Sequence, residues 1–186
     1  TAVTNLDIHD IARSSRTYGV TKYFIVNPEE EQERMVRTIL EHWNAEVSKV
    51  HHPSRADALS RVRFHRTFEE AFNEASFESS DLPQQSQRPF VVMPDARDLS
   101  EYVSHLWTYR ELREKMESCA IPGDSEVLRP IMIVFGTGWG ISPKFFGQVD
   151  CVLKPLRKAG EQNKYNHLSV RAAAAIVLDR VLGEQI

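Results

Sequence analysis

Three glycines set one residue apart close an apolar run late in the chain, in Pro130-Ile131-Met132-Ile133-Val134-Phe135-Gly136-Thr137-Gly138-Trp139-Gly140-Ile141. The bulky run is too short for a helix and suits a strand buried on both faces. Glycine frees the backbone for positive φ and leaves no Cβ to hold off a ligand, so the turn can expose its amides. A strand ending in such a loop is where an α/β sheet binds small molecules. No Gly-Lys-Ser/Thr follows, and the GxGxxG spacing of dinucleotide binders is missing, so neither familiar phosphate motif applies. A ligand loop and a purely structural turn both remain open.

A second set of reactive side chains lies near the start. In Asn5-Leu6-Asp7-Ile8-His9-Asp10-Ile11-Ala12-Arg13-Ser14-Ser15-Arg16-Thr17-Tyr18-Gly19-Val20, residues His9, Arg13 and Arg16 stand at i, i+4 and i+7 and project from one helical face. Two arginines beside a histidine make either a solvated face or an edge that binds phosphate or stabilises an anion. The adjacent His51 and His52 do not suggest a metal. In a turn they point apart and no third ligand stands near, so no metal site is expected.

These groups need a scaffold, and composition bounds it. With 186 residues and 41% hydrophobic content, the chain suits one domain spanning 1–186. The net charge of −3 excludes a protein that coats nucleic acid by bulk electrostatics, so any nucleic-acid site must be a local patch. Cys119 and Cys151 lack metal-ligand spacing and read as free thiols of a reducing compartment. No apolar run approaches the ~20 residues that span a bilayer, and the first residues do not read as a signal peptide, so a cytoplasmic protein is expected.

The pattern alternates strand and helix. The opening segment reads as a helix with capping residues at its start and Gly19 at its end, burying Ile8, Ile11, Ala12 and Ser15. Lys22-Tyr23-Phe24-Ile25-Val26 is strand-like. Asn27 and Pro28 then read as the cap and first position of a helix burying Met35, Val36, Ile39, Leu40 and Trp43. A turn at 51–55, a strand at 61–65 and a capping box at Thr67 and Glu70 follow. Residues 76–89 read as a surface loop. A strand at 90–93 delivers Pro94-Asp95-Ala96-Arg97 to the edge where other strands end. Further elements are a helix from Thr108 through Met116, opened by the same capping pattern with Glu111, a short turn at Pro143, a strand at 149–153, and a last helix from a cap at Asn166 to Gly183. This order predicts an α/β fold with a mainly parallel sheet flanked by helices. The last helix is apolar around nearly its whole circumference, which a second subunit would cover.

Read together, three regions resemble the motifs of the SPOUT superfamily of S-adenosylmethionine-dependent RNA methyltransferases. They are residues 5–20, residues 131–141, and Tyr165-Asn166-His167-Leu168-Ser169-Val170-Arg171 with its helix. Arg13 lies six residues before Gly19 of Tyr18-Gly19-Val20 and so matches the family's catalytic arginine. The resemblance covers nearly the whole chain and is narrowest to a bacterial subgroup of unknown substrate. It implies an α/β-knot fold whose C-terminal segment forms a trefoil knot, a homodimer with the active site at the interface, and RNA, either tRNA or rRNA, as substrate.

It also implies S-adenosylmethionine as cofactor. The cofactor would be held by Phe135, Gly136, Thr137, Gly138, Trp139, Gly140, Leu153, Pro155, Leu156, Asn166, His167, Leu168 and Ser169. Arg13 would stabilise a developing oxyanion or orient a phosphate, with His9 and Arg16 beside it on the substrate. His167 is the candidate proton acceptor, because imidazoles as a class titrate near neutrality, or else it fixes the loop before the last helix. The chain has Asp7 where such enzymes usually carry Asn, and Tyr165 and His167 where they carry Ser and Asn. The Asn-His pair resembles the tRNA guanine-methylating branch, whose catalytic aspartate has no counterpart assigned. The acceptor atom and general base therefore stay open. A noncatalytic cofactor- or RNA-binding protein is the alternative; a nucleotide-binding oxidoreductase ranks below both because the glycine spacing is wrong.

Overall fold

The computed structural model describes residues 2–76, 88–118, 130–138, 140–158 and 165–184. All strand pairs among them are parallel, as the alternation predicts, but they form two sheets. In the smaller, β1 (Tyr23–Val26) pairs with β2 (Val62–His65). The larger has the order β4 (Leu106–Trp107), β6 (Cys151–Leu153), β3 (Phe90–Pro94), β5 (Ile131–Ile133). The short β4 was not anticipated, since two strand residues carry no periodicity. The apolar run at β5 was expected to be buried on both faces. It instead takes the outer edge of the described sheet, where Ile131 and Ile133 are only partly buried, and the enclosed strands are β3, with Val91, Val92 and Met93, and β6, with Cys151, Val152 and Leu153.

Helix α1 (Asn5–Thr17) is capped by Thr4, whose hydroxyl accepts from the Asp7 amide while the Asp7 carboxylate accepts from Thr4 N, a reciprocal capping box. Gly19 follows at φ +75°, the left-handed geometry that glycine takes most cheaply. Its inward residues are the expected Ile8, Ile11, Ala12 and Ser15. Helix α2 (Glu30–Asn44) starts later than Asn27 and Pro28 suggested. The Asn27 side chain accepts from the Glu29 amide at 2.9 Å and turns the chain before the helix, which leaves Glu29 at the cap position. Residues 51–55, expected as a turn, are mostly helical. Helix α3 (Glu46–His51) gives way at His52 to α4 (Pro53–Leu59), with Pro53 at the first helical position. The capping boxes of α5 (Phe68–Ala75), at Thr67 and Glu70, and of α6 (Tyr109–Ser118), at Thr108 and Glu111, stand as predicted.

Helix α7 (Val170–Leu182) is capped by Ser169, whose hydroxyl accepts from the Ala172 amide, and not by Asn166, whose side chain is committed elsewhere. It lies parallel to α1. Arg171 at its start reaches Asp7 and Asp10 at 3.6 and 3.8 Å, and Asp179 near its end accepts from the Tyr18 hydroxyl at 2.9 Å. Arg113 of α6 donates to the carbonyls of Arg180 and Gly183, closing the other side. Val177 and Val181 thereby meet Val92, Leu112, Cys151 and Leu153 in one core, while Ile8, Ala12, Ile25, Val36 and Leu59 form another under the smaller sheet.

Cys151 is buried in that core, and burial, with Asp150 and Glu111 adding to it, pushes its thiol up to about 12. Because the thiolate is the reactive form, Cys151 in the native protein should stay unmodified by iodoacetamide at pH 8 and react only after denaturation, as peptide mass mapping would read. Modification under native conditions would show that β6 opens.

Candidate active site

The three parallel strands β6, β3 and β5 end side by side, so the segments leaving their carboxyl ends must meet. They are residues 154–156, 94–97 and 134–141, and the approach to α7 at 166–169 joins them. Asn166 Nδ2 donates to the Ala96 carbonyl at 2.8 Å. Arg97 Nη2 donates to the Ile141 carbonyl at 3.0 Å. The residues after β3 are therefore the common support of both loops, a role their sequence did not reveal beyond placing them at this edge.

Asp95 makes that support rigid. Its Oδ1 accepts from Arg97 Nε at 2.9 Å and its Oδ2 from Nη2 at 2.8 Å, a bidentate pair, while the Arg97 amide adds a third bond to Oδ1 at 2.8 Å. The Asp95 side chain is only 5% exposed. Burial pushes its carboxyl up, yet the hydrogen bonds from the Arg97 side chain and backbone outweigh this and hold it below the usual aspartate range.

The glycine loop depends on missing side chains. Thr137 O accepts from the Gly140 amide at 3.1 Å, with Gly138 at φ +55° and Gly140 at +81°. A Cβ at position 136 would stand 2.8 Å from the Gly140 carbonyl carbon and 2.9 Å from the Ile141 nitrogen; one at position 140 would stand 2.8 Å from Arg97 Nη2. The loop thus folds back on itself and against the Asp95–Arg97 pair. Trp139 lies outside the described residues, as do Cys119 and residues 159–164 of the preceding polar loop.

Of the other expected cofactor residues, Leu153 is buried, and Phe135 and Leu156 pack partly buried against the same core; all three support the loops from below. Thr137 and Gly138 are exposed, Pro155 half-buried, and His167, Leu168 and Ser169 exposed beside Asn166. The ring of His167 meets that of Tyr165 edge-on at 5.3 Å. Bare backbone, strand-end carbonyls and exposed apolar Leu168 suit a ligand with an adenosine part and a polar amino-acid part, so the residues present fit S-adenosylmethionine.

Arg13 and His9 occupy a different place, a groove of about 610 Å³ between α1, α2 and α4. Arg16 is turned away to Asp57, its Nε donating at 2.6 Å. Among the described residues no hydrogen bond or ion pair joins Arg13 to the glycine loop or to His167. The groove also contains Trp43 and Arg55, which periodicity assigned to the core and to a turn. A tryptophan at the rim of an otherwise aliphatic stripe was the available signal. Burial lowers the His9 pKa, and Arg55 and Arg13 lower it further against the opposing pull of Asp10.

A parallel sheet with loops of bare backbone gathered at its strand ends has the architecture of the α/β folds that bind ligands at that edge. Residues 1–183 match the family described as SAM-dependent RNA methyltransferase, and the chain belongs to that family, which consists of enzymes using S-adenosylmethionine. It is 37% identical over 185 residues to a tRNA (guanine-N(1)-)-methyltransferase of Nitratidesulfovibrio vulgaris, covering 99% of this chain and 38% of that one. It is 34% identical over 181 residues to an uncharacterized protein of Aquifex aeolicus, covering 97% and 78% respectively. The chain therefore spans well under half the length of its tRNA-methyltransferase relative. In fold it resembles a probable methylase family protein from Haemophilus influenzae, with TM-score 0.60, 20% identity and coverage of 97% of this chain and 61% of that one. A probable methyltransferase from Bordetella pertussis matches with TM-score 0.57, 15% identity and coverage of 94% and 83%.

Gly136→Ala should reduce S-adenosylhomocysteine affinity at least about tenfold, since its new methyl can be housed only by moving the Gly140–Ile141 backbone. Arg97→Met, which frees the Ile141 carbonyl, should weaken the same binding while far-UV circular dichroism stays native. Titration calorimetry on both variants checks this; wild-type affinity in both would show that the ligand sits elsewhere.

Proposed function

We propose that the chain transfers a methyl group from S-adenosylmethionine to an RNA, either a tRNA or an rRNA. The single observation behind this is the convergence of the glycine loop and the Asn166 approach on residues 94–97, in a chain of this family. The cofactor supplies an electrophilic methyl on a sulfonium. The chain must position it, exclude competing water and accommodate the acceptor's charge and proton. Residues 135–140, 153–156 and 166–169 would hold it, chiefly through backbone groups. Arg13 would stabilise the acceptor's developing charge, with His9 nearby. His167, exposed beside the cofactor loops, would accept the proton.

We further propose the SPOUT topology, with the segment before α7 threaded as a trefoil knot, and a cytoplasmic homodimer. The sheet order β4-β6-β3-β5, in which a late strand enters between earlier ones, and the tie from Asn166 back to Ala96 favour threading. Two features favour the dimer. Ala172, Ala173, Ala175 and Ile176 remain half-exposed on α7, and among the described residues Arg13 has no bond to the loops of its own chain. A partner's loops would complete the site. No helix among the described residues is long and apolar enough to cross a membrane. The guanine-N(1) activity in the names of relatives belongs to proteins of which this chain spans 38%, so the acceptor atom is not transferred with it.

Wild-type protein should incorporate labelled methyl into bulk RNA from cells lacking it. Arg13→Ala should lower that incorporation on the order of a hundredfold, with S-adenosylhomocysteine affinity retained. Equal rates in the two proteins would remove Arg13 from its role, and no incorporation by wild type would favour the noncatalytic binding protein.

A further inference from the structure

The groove between α1, α2 and α4 carries more than the family motif. Arg55 of α4 lays its guanidinium over the Trp43 ring, 4.9 Å from the centroid. His9 meets the same indole edge-on at 5.5 Å and His42 at 5.2 Å. The stacking fixes a flexible side chain in one orientation. Leu6, 58% exposed, and partly buried Ile39 add an apolar floor.

The charges are unbalanced. Most arginines of the described residues are paired with carboxylates, among them Arg16, Arg37, Arg66, Arg97 and Arg171. Arg13 and Arg55 face one groove and have no carboxylate partner among the described residues. Asp10, the acidic residue on the lining, is drawn toward Arg171 at 3.8 Å. His9 is partly buried, its pKa is lowered by that burial and by Arg55 and Arg13, and its Nδ1 has no hydrogen-bond partner among the described residues, so it favours its neutral form. In a chain of net charge −3, this concentrates positive charge in one concave place that an anion would relieve.

We infer that Arg13 and Arg55 form a clamp for one RNA phosphodiester, with Trp43 holding the Arg55 guanidinium in place and Leu6 and Ile39 receiving the adjoining ribose or base. This rests on the RNA-methylating reading above and adds a substrate contact outside the motif regions. Two guanidinium groups lining one groove, that of Arg55 held by its stacking, favour a bridging phosphate over a carboxylate of similar size, since a phosphate presents more acceptor oxygens. The apolar floor beside them favours a nucleotide over a free inorganic ion.

The test is filter binding of labelled total RNA from cells lacking the protein, over a series of salt concentrations, with S-adenosylhomocysteine calorimetry on the same samples. Arg55→Gln should weaken RNA binding about tenfold and lower the slope of log K against log salt by about one. Arg55→Lys should restore the slope but not the full affinity, and cofactor affinity should be unchanged in both. Wild-type RNA affinity and slope in Arg55→Gln would overturn the clamp while leaving the cofactor site intact. So would an affinity loss that follows dissociation to monomer in sedimentation velocity, which would assign the groove to a second copy of the chain. A wild type that binds RNA with an Arg55-dependent slope but no S-adenosylhomocysteine would sink the methyltransferase reading instead.

Discussion

A carboxylate and a guanidinium two residues apart, Asp95 and Arg97, decide the shape of the loops at the carboxyl ends of the larger sheet's strands. The pair is bidentate and Asp95 is nearly buried, so the guanidinium plane has little freedom. Its remaining Nη2 valence goes to the Ile141 carbonyl, and Gly140 packs against it so closely that a methyl group would not fit. Breaking such a pair by removing one partner leaves the other charge without compensation, which costs more than the pair contributes. The glycines then have a clear physical purpose. They let the loop approach a fixed cation and fold back on its own backbone.

The second constraint is the parallel docking of α1 on α7. Arg171 spans Asp7 and Asp10 at one end, and Tyr18 bonds Asp179 at the other, so neither helix can slide without losing contacts at both ends. Each exposed ion pair contributes at most about 1 kcal/mol, and the larger stabilisation comes from the apolar residues each helix buries, Ile8 and Ala12 on α1 and Ala174 and Val177 on α7. The polar contacts set register. Because α7 begins directly after Ser169, fixing α1 along it also fixes the Arg13 groove relative to the strand-end loops, although among the described residues no bond connects them directly.

Much of this was legible in the sequence. Capping boxes at Thr67 and Thr108 are local chemistry and stood where side-chain spacing put them. The inward face of α1 followed from periodicity. What failed did so because a polar side chain has several partners available and sequence does not rank them. Asn27 and Asn166 both looked like caps; one turns the chain before α2, and the other reaches 70 residues back to Ala96. Arg16 looked equivalent to Arg13, yet Asp57, 41 residues away, bonds it. The edge position of β5 was hidden for a related reason, since an apolar run reports burial pressure and not the order of strands.

The two halves of the site use different physics. At the strand ends, recognition rests on backbone shape: a side chain added at 136 or 140 collides, and the nearby cation is already satisfied by Asp95, so the loop offers little net charge. Across α1, α2 and α4 the reverse holds. Trp43, Leu6 and Ile39 provide a surface of no special shape, while Arg13 and Arg55 provide charge that nothing in the described chain neutralises. A methyl donor is the same molecule in every turnover and suits a shaped, uncharged cradle. A long polyanion must find the protein from solution and be let go afterwards, which favours a few exposed charges whose grip is tuned by salt. With net charge −3, a chain working through the proposed clamp would confine that attraction to one groove.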